Sequence, residues 1–359
     1  MKTILSVASA RPNFVKLAAI HQALAAHPDQ FRHIIVHTGQ HYDPLLSDIF
    51  FEQLSIPQPN YNLGVKGGAE REEVIALTEA AIAPVLQNVH PDVVLVYGDV
   101  NGAVGAARAA KQAGIPIGHV EAGLRSFDAS MPEELNRIEI DHLADLLFVS
   151  EQSGIDHLQK EGVQGAVHFV GNTMIDTLIR MMPAIAEHPV PLPQEAFAIA
   201  TIHRPSNVDD PAVLRQVLSF LSDVGAACPI LLPAHPRLRQ ALEGIAFPLE
   251  SASIQIIEPM AYLAFLHAMQ HAAFILTDSG GIQEEAVLLQ KCCFTLRRNT
   301  ERPSTIESGS NVLIDPSLPS DRAVVLSYAE NPLPPIIAIP PLWDGAAGGR
   351  IAAILEEFL

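Results

Sequence analysis

Residues 274–290 read FILTDSGGIQEEAVLLQ. An apolar run, Phe274–Leu276, passes through Asp278, Ser279, Gly280 and Gly281 into a stretch of helical character that carries Glu284 and Glu285 early. A short continuous apolar run of this kind, followed at once by a helix, is the signature of a parallel strand buried on both faces. The helix start has two readings. Its free backbone N–H groups and positive dipole end can hold a phosphate, with the glycines removing obstruction. It can equally be ordinary capping, with the glutamates complementing the dipole.

The same strand–loop–helix unit recurs outward from this stretch. Strands are expected at Thr3–Ala8, His33–His37, Val93–Tyr97, Ile115–Val120, Leu146–Val149 and Val167–Val170. Helical stretches fall between them, at Lys16–Ala26, Glu70–Val89 and Val104–Ala113. A second series has strands at Phe197–Ile202, Ile230–Leu232, Ile254–Ile257, Phe274–Leu276 and Cys293–Leu296. A helix near Thr173–Met182 and the proline-rich AIAEHPVPLPQEAF, 184–197, connect the two series. The chain ends in a helix, Ala346–Leu359, after the proline-rich crossing NPLPPIIAIPPLWDG. Alternation of strand and helix implies right-handed crossovers. The expected fold is α/β, two doubly wound Rossmann-like domains with a cleft between them, divided as 1–172 and 173–345. Ligands on such sheets bind beyond the carboxyl ends of the strands.

Composition sets limits. At 359 residues with 48% hydrophobic content, two domains with real cores are expected. No apolar run reaches the length of a membrane span. The opening MKTILSVASARPNFVK is too short in its apolar part for a signal peptide and reads as a first strand and loop. Cys228, Cys292 and Cys293 form neither a disulfide framework nor a metal spacing, so a reducing cytoplasm is the expected location and no metal is expected. A net charge of −18 argues against nucleic-acid binding. It leaves room for an anionic small ligand where cations gather.

They gather at strand exits. In SARPNFVK, Arg11 offers a fork of donors and Lys16 a point charge, suited to a phosphate or merely solvated. In GDVNG, Asp99 is either a helix cap or a functional carboxylate beside the permissive Gly98. HVEAGLRSFDASMPEELNRIEIDH, 119–142, puts Glu121 at a strand end and then packs Arg125, Asp128, Glu133, Glu134 and Arg137 closely together. Helical spacing places Glu133 and Arg137 on one face, as an exposed ion pair or as part of a site. Carboxylates gathered in a cleft raise each other's pKa into the range of proton transfer. His203 and Arg204 follow a strand in ATIHRPSNVDD, where the histidine is structural, a phosphate ligand or a proton carrier. His235 and Arg237 stand at a similar exit, and TLRRNTERP adds Arg297, Arg298 and Arg302. An acidic chain that spends its cations this way points to a phosphorylated metabolite as ligand.

In order and spacing, ARPNFVK, TGQHYD, GDVNGAV, HVEAGLRSFDASMPEELNR, GNTMID, HRPSNVDD, HPR, TDSGGIQEEA and NTERP resemble the non-hydrolysing UDP-N-acetylglucosamine 2-epimerases. The resemblance spans essentially the whole chain. It implies a GT-B-like fold with the last helix, about 346–359, packing back on the N-terminal domain. It implies reversible conversion of UDP-GlcNAc to UDP-ManNAc, by anti elimination of UDP to a bound 2-acetamidoglucal and syn re-addition. Asp99, Glu121 and Glu133 match the acid–base set. Arg11, Lys16, Arg137 and His203 match catalytic or diphosphate-contacting residues. Ser279, Gly280, Gly281 and Glu285 match the UDP-binding turn, Phe265 a position near the uracil, and His235 and Arg302 further ligand contacts. The resemblance implies no metal, no redox cofactor and a homodimer whose partner molecule is a UDP-sugar.

The departures are specific. Ser9-Ala10 stand where Gly-Thr is usual, Asn13 replaces an acidic residue, and the HRxEN motif reads His-Arg-Pro-Ser-Asn. These features resemble the branch that includes epimerases of modified UDP-sugars such as diacetamido uronates. Gln40, Arg204 and His235 match parts of a second, activating UDP-GlcNAc site of some bacterial members, whereas GVKGGAEREEV does not match that segment. A hydrolysing epimerase, a GT-B glycosyltransferase and a non-enzymatic nucleotide-sugar sensor are the other readings. Only the epimerases need all three carboxylates.

Overall fold

The structure, a computed structural model, describes residues 1–39, 51–65, 70–187, 189–245 and 253–359. They form two compact units, Met1–Arg180 with Pro340–Leu359, and Met181–Ile339.

Unit 1 runs β1 (Lys2–Ala8), α1 (Arg11–Ala25), β2 (Phe31–His37), β3 (Tyr61–Asn62), α2 (Arg71–Val89), β4 (Val93–Tyr97), α3 (Asn101–Gln112), β5 (Ile117–Ala122), α4 (Pro132–Leu143), β6 (Leu146–Val149), α5 (Gln152–Glu161), β7 (Ala166–Phe169) and the first part of α6 (Thr173–Glu187). The strands pair in parallel in the order β3-β2-β1-β4-β5-β6-β7. Every residue of β4 is fully buried, as its unbroken Val-Val-Leu-Val-Tyr sequence requires of a central strand. Small residues let the covering helices come close. A Cβ on Gly105 of α3 would lie 2.6 Å from the Ile75 carbonyl oxygen of α2, so glycine sets that helix spacing.

Unit 2 runs β8 (Ala198–Thr201), α7 (Pro205–Val208), α8 (Pro211–Ala227), β9 (Ile230–Pro233), α9 (Pro236–Glu243), β10 (Ile254–Ile257), α10 (Tyr262–His271), β11 (Ile275–Thr277), α11 (Gly280–Leu288), β12 (Cys293–Thr295), α12 (Pro303–Glu307), β13 (Asn311–Leu313) and α13 (Pro319–Glu330). Its parallel order is β10-β9-β8-β11-β12-β13. Asp210 starts α8 by accepting the Ala212 N–H at 2.7 Å, a cap contributing about 1 kcal/mol. The chain then returns to unit 1 as α14 (Ala347–Phe358), where Gly348 sits against α1 and donates its N–H to Asp176 at 2.7 Å.

In both sheets the chain builds outward from a middle strand and then restarts on that strand's other side. The reversal falls between β1 and β4 in unit 1, and between β8 and β11 in unit 2. Ligands of open parallel sheets bind at such points.

Local differences from the sequence expectation have physical causes. Helix α1 begins at Arg11, not Lys16, because Asn13 Oδ1 accepts the Ala10 N–H at 3.0 Å and Pro12 suits a first turn. Helix α6 continues through Pro183 to Glu187, into the stretch read as a connection, and the division between the units falls inside it. Its first half belongs to unit 1 through Asp176 and through Thr177, whose hydroxyl donates to the Val15 carbonyl at 2.7 Å. The edge strands β3 and β13 are two and three residues long, too short for any periodicity to announce. The three cysteines are free and buried. Among the described residues no His, Cys, Asp and Glu side chains cluster as a metal site, and no helix is long and apolar enough to cross a membrane. Gln40 lies outside the described residues.

Candidate active site

At the reversal point of unit 1, Lys16 of α1 and Glu121 of β5 form a buried ion pair over Gly98. Gly98 has φ +62°, and a Cβ there would stand 3.1 Å from Lys16 Nζ and 3.3 Å from Glu121 Oε2. The left-handed backbone favours glycine, and a methyl would crowd both side-chain ends. The expected strand end at Val120 extends to Ala122 through a register shift, and Glu121 occupies the bulge with φ 71°. A left-handed glutamate is strained by about 1–3 kcal/mol, and bulges next to active sites re-aim a side chain. Beneath it, His119 Nε2 donates to the Gly98 carbonyl at 2.9 Å, and His119 Nδ1 meets Asp141 at 2.6 Å. Asp141 also pairs with the buried Arg125 at 2.7 Å and accepts the Gly123 N–H at 3.1 Å. Burial opposes the charged form of Asp141, but His119 and Arg125 outweigh it and hold the carboxyl below its usual range.

Asp99 is not the cap of α3; that position is Val100. Its carboxylate instead takes both Nε and Nη2 of Arg137, at 3.0 and 2.8 Å, and retains partial exposure. Arg137 does not form the expected pair with Glu133. Its Nη1 donates to Glu134 at 2.5 Å, because three residues along the helix, not four, bring the buried glutamate beneath the guanidinium. Glu133 is exposed at the start of α4, as is Arg11 at the start of α1. Unit 1 therefore gathers Lys16, Asp99, Glu121 and Arg137, leaves Arg11 and Glu133 on the solvent side, and adds Glu134, His119 and Asp141. Periodicity alone did not single these three out.

At the reversal point of unit 2 the organising residue is Asp278, which is fully buried. Its carboxylate accepts the N–H groups of His203 and Arg204 at 3.0 and 2.8 Å, Asn207 Nδ2 at 3.0 Å, and His203 Nδ1 at 2.9 Å. Burial raises the Asp278 pKa, but these partners, His203 first, bring it below the usual value. The imidazole is thereby oriented while remaining 40% exposed. Asp278 was legible as part of DSGG, but nothing in the sequence marked it as the holder of His203.

Ser279 precedes α11 without a side-chain cap, so the first N–H groups of Gly280 and Gly281 are not claimed by its hydroxyl. At Gly280 a Cβ would lie 2.5 Å from Arg302 Nη1 and 2.7 Å from Glu301 Oε1, side-chain ends that would have to shift. The guanidinium stands at the helix start, between Glu301 and Glu284, whose Oε2 is 3.1 Å from Arg302 Nε. Arg297 is buried against Glu301 at 2.6 Å, whereas Arg298 is exposed and pairs with Asp315. The two glutamates of the opening stretch are not surface decoration. Glu284 and Glu285 are both buried. Burial lifts Glu285 to about 7 against a hydrogen bond from the Tyr262 hydroxyl at 2.7 Å, and Glu284 adds to the rise. Phe265, half-buried, shares a face of α10 with Tyr262. His235 caps α9, accepting the Arg237 N–H at 3.2 Å, with its ring 5.9 Å from that of His203.

Comparison with known proteins gives this arrangement its relatives. The profile of the UDP-N-acetylglucosamine 2-epimerase family matches residues 22–356. A UDP-2,3-diacetamido-2,3-dideoxy-D-glucuronate 2-epimerase of Pseudomonas aeruginosa is 39% identical over 99% of each chain. A UDP-N-acetylglucosamine 2-epimerase of Methanococcus maripaludis is 37% identical over 90% of this chain and 89% of its own. The crystal structure of the Methanocaldococcus jannaschii UDP-GlcNAc 2-epimerase in complex with UDP-GlcNAc and UDP superposes with a TM-score of 0.89. It is 33% identical and covers 99% of this chain and 100% of that one. Two parallel sheets with polar reversal points and a profile match over nearly the whole length agree, and the chain belongs to the UDP-N-acetylglucosamine 2-epimerase family.

Proposed function

We propose that the protein reversibly inverts C2 of a UDP-N-acetylhexosamine without hydrolysing it, with UDP-GlcNAc and UDP-ManNAc as the substrate pair. The observation that carries this reading is the strained, buried Glu121 paired with Lys16 beside the Asp99–Arg137 pair. The C2 hydrogen has no carbonyl beside it in the ring and is not acidic. C1–O cleavage must run ahead, so C1 acquires positive charge and UDP leaves with the C1–O electron pair. A carboxylate then takes the C2 proton as the C1=C2 bond of 2-acetamidoglucal forms. Return of a proton to the opposite face of C2 and of UDP to C1 gives the epimer. Inversion needs one ionised carboxylate to take the C2 proton and a protonated group on the opposite face to return one, the two resetting by proton exchange with solvent, while ionised carboxylates near C1 stabilise the developing charge. Asp99 and Glu121, each held beside a cation, are assigned these roles, with Glu133 as the third candidate, and Arg11, Lys16 and Arg137 serve the charge on UDP. In unit 2, Ser279–Gly281, Arg302 and His203 are assigned to the diphosphate, Glu285 to the ribose hydroxyls, and Phe265 and His235 to further contacts. No metal or redox cofactor enters this scheme.

A second reading has its own support. The Pseudomonas relative acts, by its name, on UDP-2,3-diacetamido-2,3-dideoxy-D-glucuronate, and the HRPSN segment departs from the family's usual pattern. Incubation with each UDP-sugar in deuterated water, followed by NMR, separates the readings. Deuterium at C2 together with the epimer, from UDP-GlcNAc, is the expected result. Exchange with the diacetamido uronate alone moves the substrate to the second reading. Free ManNAc would show a hydrolysing enzyme, and no exchange with either sugar would leave a transferase.

A further inference from the structure

We infer that Glu134 is a positioning residue that fixes the Arg137 guanidinium against Asp99 while clamping the loop ahead of α4. This rests on the reading of unit 1 as the site of sugar chemistry. Glu134 is 3% exposed, and its carboxylate collects the Ser126 N–H at 2.8 Å, the Ser126 hydroxyl at 2.9 Å, the Phe127 N–H at 2.9 Å and Arg137 Nη1 at 2.5 Å. The other edge of the same guanidinium, Nε and Nη2, meets Asp99 Oδ2. A guanidinium is a rigid planar fork, so fixing one corner fixes the direction of the rest. Helix α4 grips Asp99 a second time, since Asn136 Nδ2 donates to its carbonyl at 2.7 Å. The loop needs the clamp. Phe127 has φ 56° and exposes 74% of its surface, a backbone and side chain that would otherwise relax.

The charged groups facing this corner come from three elements and from the layer beneath. Arg137 comes from α4, Lys16 from α1 and Glu121 from β5, the latter two meeting over the adjoining Gly98, whose carbonyl is held by His119. Of these, Arg137 is shared between two carboxylates, and Glu134 sets the sharing. Loosening the fork withdraws positive charge from Asp99, which raises its affinity for a proton.

The test reads Asp99 directly, by carboxyl ¹³C NMR, with its resonance assigned through Asp99→Asn. Glu134→Gln acts on the Asp99 midpoint in two opposed ways, since losing a neighbouring negative charge lowers it and loosening the fork raises it, so the diagnostic variant is the one that keeps the charge. Glu134→Asp keeps the charge but withdraws it by one methylene, and the Asp99 midpoint rises by about half a pH unit. Glu73→Gln, at an exposed carboxylate of α2, leaves the midpoint in place. In parallel, kcat of Glu134→Gln falls about tenfold or more through misplacement, with KM nearly unchanged. An unmoved or lowered Asp99 midpoint in folded Glu134→Asp, or an unchanged kcat of Glu134→Gln if the aspartate variant does not fold, overturns the inference. Absence of C2 exchange in the wild type would instead sink the reading of unit 1, while the Asp99 titration would still decide the role of Glu134.

Discussion

The two reversal points share one topology and each sets a histidine against a buried aspartate, but the groups they present differ. In unit 1 the point between β1 and β4 is built from ion pairs, Lys16–Glu121 and Asp99–Arg137, set on a strained glutamate and a left-handed glycine. In unit 2 the point between β8 and β11 is built from backbone N–H groups, a glycine helix start and one buried aspartate that orients a histidine. The first arrangement sets each carboxylate against a cation and aims it, which suits proton transfer and a cationic transition state. The second offers donors that need no proton transfer, which suits a diphosphate and a diol. A doubly wound sheet fixes where a ligand meets the chain, and the loop residues alone fix what happens there.

The largest test of this contrast is Glu121→Gln. It should lower kcat by about 10³-fold while leaving UDP affinity, read by calorimetry, within about threefold of wild type. A loss of UDP binding as large as the loss of turnover would erase the division of labour.

A second test uses pH, because the two units respond in opposite senses. In unit 1 burial, reinforced by His21, lowers His33 to about 3, and burial lowers His37 to about 4. The unfolded chain then binds more protons than the folded one below about pH 6.5, so unit 1 loses stability as pH falls from there toward 4. In unit 2 Glu285 is lifted to about 7. There the folded state holds the extra proton, so that contribution is present at about pH 4.5 and is lost as pH rises to 7, a change of about 3 kcal/mol at most. Hydrogen exchange followed unit by unit between pH 4.5 and 7 should show unit 1 gaining protection and unit 2 losing it. Glu285→Gln should flatten only the second trend. Parallel behaviour of both units would show that these groups do not govern it.

The smallest effect is expected from Gly280→Ala. The added methyl meets the Arg302 guanidinium, the movable end of a long side chain, so the fold should survive. UDP affinity should drop about tenfold, equivalent to about 1.4 kcal/mol. The Asp99 titration in unit 1 should not move. Unchanged UDP affinity would remove the helix start from the assigned diphosphate site.

Much of the site was legible for reasons of placement. Lys16, Asp99, Glu121, His203 and Ser279 stand at the reversal points and could be singled out because each comes soon after an apolar run, where open sheets put their chemistry, whereas Arg11, singled out on the same ground, lies on the solvent side. The readings failed where one residue of offset matters. Spacing paired Glu133 with Arg137, but the folded helix turns Glu134 inward, since i to i+3 and i to i+4 are equally good neighbours on a helix. Glu284 and Glu285 sat where dipole-complementing surface residues commonly sit, and only packing shows them buried against Arg302 and Tyr262.

By itself the sequence determined the alternation of buried strands and amphipathic helices, and therefore two parallel sheets with polar loops at one end of each. That information is local, carried by hydrophobic period and by glycine and proline. Tertiary structure alone decided which of several adjacent carboxylates face a cation. It also decided that Glu121 sits in a bulge with a left-handed backbone and that Asp278 holds His203. Each of those outcomes depends on contacts between segments far apart in the chain. Burial and pairing in a low-dielectric interior reset the energy of a charge by more than any neighbour in sequence can.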